Sequence, residues 1–218
     1  MKKENNDNTS RNTQIEEFLS DRYEFRYNTV LNRAEYRLRG TGDYTAIDRY
    51  RINTLKRALD KEAGVQTSPE NLYSIIESDF SPRINPVQAY FHSLPIMEEA
   101  KKGAITALAD CVRVANPEKW KEYLTKWLVA VVANAMDDKQ CRNHTCLVLT
   151  GEQGKFKTTF LDLLCPPSLS DYRYTGKIYP QEKDVLSLIG QNLIINIDDQ
   201  LKALNKRDEN ELKNLITC

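Results

Sequence analysis

The stretch Cys146-Leu147-Val148-Leu149-Thr150-Gly151-Glu152-Gln153-Gly154-Lys155-Phe156-Lys157-Thr158-Thr159 decides how this chain is read. Its first five residues are apolar enough for a short buried strand, and Gly151 to Phe156 read as a glycine-containing loop. An amphipathic helix is predicted onward through Leu164, and Cys165-Pro166-Pro167 stops it. Strand, loop, Lys-Thr and helix in that order form the context of a phosphate-binding loop. Gly151 and Gly154 allow the backbone to curl so that successive N–H groups meet phosphate oxygens, and the start of the helix adds its positive dipole end. Lys157 is expected to neutralise the β- and γ-phosphates of ATP, and the Thr158 hydroxyl to join a Mg²⁺ shell. Gln153, Lys155, Phe156 and Thr159 complete the predicted nucleotide-binding set. One position departs from the motif: the usual glycine before the lysine is Phe156, whose Cβ is expected to crowd the phosphates. The competing explanation is a glycine-rich turn that holds no ligand.

A partner segment lies further on. Asn192 to Asp199 reads Asn-Leu-Ile-Ile-Asn-Ile-Asp-Asp, a mostly apolar strand ending in two carboxylates. A phosphate-loop enzyme needs such a strand near the strand that enters its loop, with an acid at its end holding Mg²⁺ through water. Asp198 is assigned to the metal and Asp199 to orienting the attacking water. The interval from Lys157 to Asp198 leaves room for a helix, a short strand and another helix. Taken alone, Asp198-Asp199 is also what a solvated strand end looks like; the order and spacing of the two segments favour the pair.

With these residues in view, the chain resembles the virulence-associated protein E family, P-loop ATPases of phages and mobile elements allied to superfamily-3 helicases and primase–helicases. The resemblance runs over about residues 85–217. It is carried by Asn85-Pro86-Val87 with Tyr90-Phe91, Lys126-Trp127-Leu128-Val129, Leu147 to Gly154, Lys157 to Phe160, Lys183-Asp184, Ile197-Asp198-Asp199 and Leu212-Lys213. It implies an α/β fold: a partial RecA/AAA-like P-loop core behind a helical collar, with a small N-terminal α+β unit. It also implies nucleotide-driven unwinding of DNA, single-stranded DNA as partner, and a homo-oligomeric ring. The sensor strand and arginine finger of such a core would lie beyond Cys218. The chain therefore reads as a truncated gene product, expected to bind nucleotide but hardly to hydrolyse it, and to form no ring.

Composition sets outer limits. Of 218 residues, 40% are hydrophobic and 28% charged, with 31 Lys and Arg against 31 Asp and Glu, so any DNA contact must come from local patches. No apolar run is long enough to span a bilayer, the first residues carry no signal core, and five cysteines follow no framework. A cytoplasmic protein without a membrane partner is expected.

The expected organisation is a disordered tail at 1–12, the N-terminal unit at 13–80, a helical collar or linker region at 81–140 and the P-loop core at 141–218. In the N-terminal unit a short helix is predicted at 14–20 and strands around Tyr23-Phe25-Tyr27 and Tyr36-Leu38. Gly40 to Asp43 read as a turn, with a helix from Ala46 to Ala63 ended by Gly64 and a helix start at Ser68-Pro69. Asp79 to Pro86, with two prolines, reads as a linker. Residues 117–136 predict a helix whose stripe from Trp120 to Met136 faces a core.

Between Arg22 and Arg57, nine Lys and Arg stand against four Asp and Glu with tyrosines interleaved. Such a pattern can hold nucleic acid; core aromatics beneath a charged face explain it better. Cys141, His144 and Cys146 lie too close together for the usual paired-cluster zinc site. The leading functional reading is an ATP-dependent DNA helicase or replication protein. The alternative is a nucleotide-binding interaction module without catalysis, and a metabolic P-loop kinase would need an arginine-bearing lid that is not evident between the two segments.

Overall fold

The computed structural model describes residues 10–96, 103–139, 143–197 and 206–217, without the side chains of 206–209 and 217. The chain divides into two compact units, Met1–Pro86 and Val87–Cys218. Among the described residues no helix is long and apolar enough to cross a membrane.

The first unit is a four-stranded sheet with helices on one face. Helix α1 (Arg11–Arg22) starts at Ser10, whose hydroxyl accepts the Thr13 N–H. The chain then enters the hairpin β1 (Tyr23–Asn28) and β2 (Arg33–Leu38). Asn28 sets the turn by accepting the N–H groups of Val30 and Leu31 on its side-chain oxygen at 3.1 and 3.0 Å. A two-residue β3 (Thr45–Ala46) adds to β2, and β4 (Arg83–Ile84) lies parallel to β1, giving the order β3-β2-β1-β4.

Period-two alternation divides the sheet's faces. Phe25, Tyr36, Tyr23, Tyr27 and Ala34 pack with Ile15, Leu19, Ile52, Leu55, Leu72 and Ile76 of the helices. The pairs Glu24–Arg37, Arg26–Glu35 and Asn28–Arg33 stand opposite one another on the other face. Four of the interleaved aromatics are thus packing residues. Tyr44 is instead flanked by the guanidinium groups of Arg26 and Arg37, 3.9 and 4.6 Å from its ring centre, and Tyr50 is 78% exposed.

Two expectations are corrected here. The helix expected from Ala46 is α2 (Arg49–Ala58), because Asp48 caps it by accepting the Arg51 N–H at 2.8 Å; a π-turn, Leu59–Ala63, follows and ends at Gly64 in a left-handed conformation. The presumed linker contains β4: Tyr27 N–H donates to the Pro82 carbonyl and Thr29 N–H to that of Ile84, both at 2.9 Å. Prolines lack the donor and not the acceptor, so they are tolerated beside this short edge strand. Helix α3 (Pro69–Ile76) begins as predicted, with Ser68 as cap and Pro69 in its first turn.

The second unit is mixed α/β. Helices α4 (Pro86–Ser93), α5 (Ala104–Asp110) and α6 (Pro117–Ala135) come first. After them stand α7 (Lys157–Leu163), a 3₁₀ turn (Pro167–Tyr172), β5 (Arg173–Gly176), α8 (Val185–Gln191), β6 (Ile194–Ile197) and α9 (Lys206–Thr217). Strands β5 and β6 pair in parallel with α8 as their crossover. Trp120 anchors α6: its indole N–H donates to the Ala109 carbonyl at 2.9 Å, and with Ala109 and Leu124 it forms a core joined by Leu128, Leu147, Leu149 and Phe160. The expected stripe on α6 is narrower than its sequence suggested, since Tyr123 is 55% exposed and Val132 is exposed as well. Apolar positions that step by three and one from Trp120 to Met136, over more than four turns, span a wider arc than one core face covers.

Candidate functional site

Segment 143–150 enters the loop without belonging to a ladder among the described residues, so the strand expected at Cys146–Thr150 is not formed there as a paired strand. It keeps strand alternation: Leu147 and Leu149 turn to the Trp120 core while Val148 is exposed. Its anchorage is apolar packing on α5, α6 and Phe160, and β6 pairs with β5.

Gly151 to Phe156 form an exposed loop. Gly154 takes φ 77°, where glycine is free of steric cost. Phe156 also lies in the left-handed region, at φ 55° and ψ 25°, with its ring 78% exposed. A glycine would meet this backbone requirement without strain, and a phenylalanine does not. Lys157 opens α7 and folds back over the loop, its ammonium donating to the carbonyls of Gly151 at 3.1 Å and Glu152 at 2.7 Å. Lys155 makes an exposed ion pair with Glu152 at 3.4 Å. Gln153 lies in the turn, and Thr158 and Thr159 occupy the first turn of α7. Asp198 and Asp199 lie outside the described residues.

Helix α7 is tied to both strands of the small sheet. Asn196 on β6 is 5% exposed; its amide donates to Asp162 Oδ1 at 3.1 Å and reaches the Thr158 carbonyl at 3.4 Å. Thr175 on β5 donates its hydroxyl to the same Asp162 oxygen at 2.6 Å, and Arg173 donates to the Asp162 carbonyl at 2.9 Å. The helix that follows the predicted loop and the small sheet are therefore joined through Asn196, Asp162, Thr175 and Arg173, four residues that sequence reasoning passed over. The available signal was Asn196, a single amide inside Leu-Ile-Ile-Asn-Ile. An amide within an apolar strand needs a partner.

Among the described residues no three His, Cys, Asp or Glu side chains group to hold a metal. Cys141 lies outside the described residues. Burial pushes the Cys165 thiol above its ordinary range, and it donates to the Leu169 carbonyl at 3.3 Å, so this cysteine is a packing residue.

A mixed α/β unit with a glycine-containing loop tied to a short parallel sheet is the class of domain that these observations define. Residues 97–218, more than half of the chain, match the virulence-associated protein E-like domain, and the chain belongs to that family. No curated protein matches the sequence.

Proposed function

We propose that residues 141–218 form a RecA/AAA-like P-loop core that binds ATP, behind a helical collar at 81–140, in a DNA helicase or replication protein of a mobile element. The observation that carries this reading is the join between the Gly151–Phe156 loop and β6, made by the side chains on α7, with Lys157 at the loop's mouth. Lys157 is the charge for the β- and γ-phosphates, with Gly151, Gln153, Gly154, Lys155, Phe156 and Thr159 around them. A Thr158 hydroxyl and an Asp198 carboxylate are hard oxygen donors of the kind Mg²⁺ takes, and bound Mg²⁺ would supply charge neutralisation along the phosphates. Asp199 is assigned to orienting the attacking water. Single-stranded DNA and a homo-oligomeric ring belong to the same proposal. The N-terminal unit at 13–80 has no proposed ligand.

A second reading, a nucleotide-binding interaction module without catalysis, is favoured by Phe156, whose side chain stands in the left-handed loop position next to Lys157. Titrating a fluorescent ATP analogue tests what the two readings share: Lys157→Ala is expected to weaken binding about 100-fold by removing a charge-assisted contact. Equal affinities would discard the site. Steady-state ATPase measured with and without single-stranded DNA then separates the readings, since only the helicase reading expects turnover that DNA stimulates.

A further inference from the structure

Asn196 occupies a buried position on β6 that an aliphatic side chain would fill without the cost of taking an amide out of water. What the amide gains is a hold on α7. Thr158 and Asp162 are four residues apart and share one face of that helix, and Asn196 reaches the carbonyl of the first and the carboxylate of the second. Thr175 fixes the same carboxylate oxygen from the neighbouring strand. Rotation of α7, or sliding of β6 along it, breaks these bonds together. Asp198 follows Asn196 by two residues in the sequence.

We propose that Asn196, Asp162 and Thr175 are positioning residues: they set the register between the phosphate-loop helix and the strand leading to Asp198, and so the metal-dependent part of nucleotide binding. This rests on the ATP reading above. None of the three touches nucleotide; they act through Thr158 and the end of β6. A bridge that only stabilised the fold would weaken binding equally with and without metal.

The test titrates a fluorescent ATP analogue in Mg²⁺ and in EDTA on the 218-residue chain and on Asp162→Leu, Asp162→Asn, Asn196→Leu and Thr175→Val, with thermal melts as a check of folding. Wild type is expected to bind more tightly in Mg²⁺. Asp162→Leu and Asn196→Leu are expected to lose about tenfold of the Mg²⁺ affinity while changing the EDTA affinity by less than about twofold. Asp162→Asn keeps an oxygen for both donors and is expected to retain the metal-dependent gain. Thr175→Val alters an exposed strand position, keeps the fold and is expected to lose about threefold in Mg²⁺, so it tests the proposal even if the leucine variants do not fold. Equal losses in Mg²⁺ and EDTA, or an Asp162→Asn variant as weak as Asp162→Leu, overturn the inference. Wild-type binding with a full metal-dependent gain that folded variants retain overturns the inference alone. A wild-type chain that binds no nucleotide in either buffer overturns the ATP reading and this one with it.

Discussion

Phe156 sits at φ 55° with no side-chain cap at the start of α7. For an L-residue with a Cβ this region costs roughly 1–2 kcal/mol, and the exposed ring recovers little of it by burial. A glycine would remove the strain but lose more entropy on folding, roughly 0.5–1 kcal/mol. The difference favours Phe156→Gly, which is expected to raise the thermal midpoint of the second unit by a few degrees at most. It is also expected to leave ATP-analogue affinity equal or tighter, since no side chain then crowds the loop. Weaker binding in Phe156→Gly would show that the ring itself contacts ligand. The departure from the motif at this position was legible in the sequence; the backbone conformation that makes it costly was not, because it is set by how the loop joins the helix.

Elements differ in how much of themselves they display in sequence. Caps and stops act locally, so Ser68-Pro69 and Gly64 mark boundaries that the structure keeps, and the helix expected from 117 starts there under a cap not read from sequence, Asn116, which accepts the Lys119 N–H at 3.1 Å. Pairing partners are set at a distance. The ladder between β1 and β4 joins residues far apart in sequence through proline-flanked backbone, and the Leu147–Leu149 segment carries strand alternation while finding its anchorage in a helical core. That core is small, so Trp120 carries a large share of it. Trp120→Ala is expected to cost about 3–5 kcal/mol by opening a cavity between α5, α6 and Phe160. Trp120→Phe keeps most of the ring and loses the bond to the Ala109 carbonyl, for about 1 kcal/mol. Urea unfolding followed by Trp127, the tryptophan that remains of two, measures both. A cost for Trp120→Ala no greater than that for Trp120→Phe would mean that α5 and α6 are held by something other than this contact.

At the scale of the whole chain, the two units have separate cores, and they differ in how they carry charge. Glu24, Glu35, Asp48 and Glu70 of the first unit are all held below the ordinary carboxylate range. Glu35, 2% exposed, is the most consequential: burial pushes its carboxyl up, but hydrogen bonds from Asn28, Arg26 and Arg33, with the Arg26 charge, outweigh that and bring it down. In the second unit only Glu122 among the described residues is lowered, by its bond to Lys126. A carboxylate with a depressed folded pKa stabilises fully above its unfolded pKa and loses that stabilisation as pH falls through the folded value. The first unit should therefore weaken from about pH 4 downward, and more steeply than the second. Calorimetry of the whole chain is expected to show two transitions. If the proposed ATP site holds, Mg²⁺-ATP is expected to raise only the second unit's, by about 2.7 kcal/mol at a ligand concentration 100 times its Kd, while acid lowers chiefly the first. Glu35→Ala leaves two guanidinium groups that still reach water, so its cost falls at the low end for a broken buried pair, about 3 kcal/mol on the first transition near neutral pH. It should also flatten that transition's fall in acid. One transition that acid, Mg²⁺-ATP and Glu35→Ala all move together would mean that the units unfold as one and that their stabilities cannot be assigned separately.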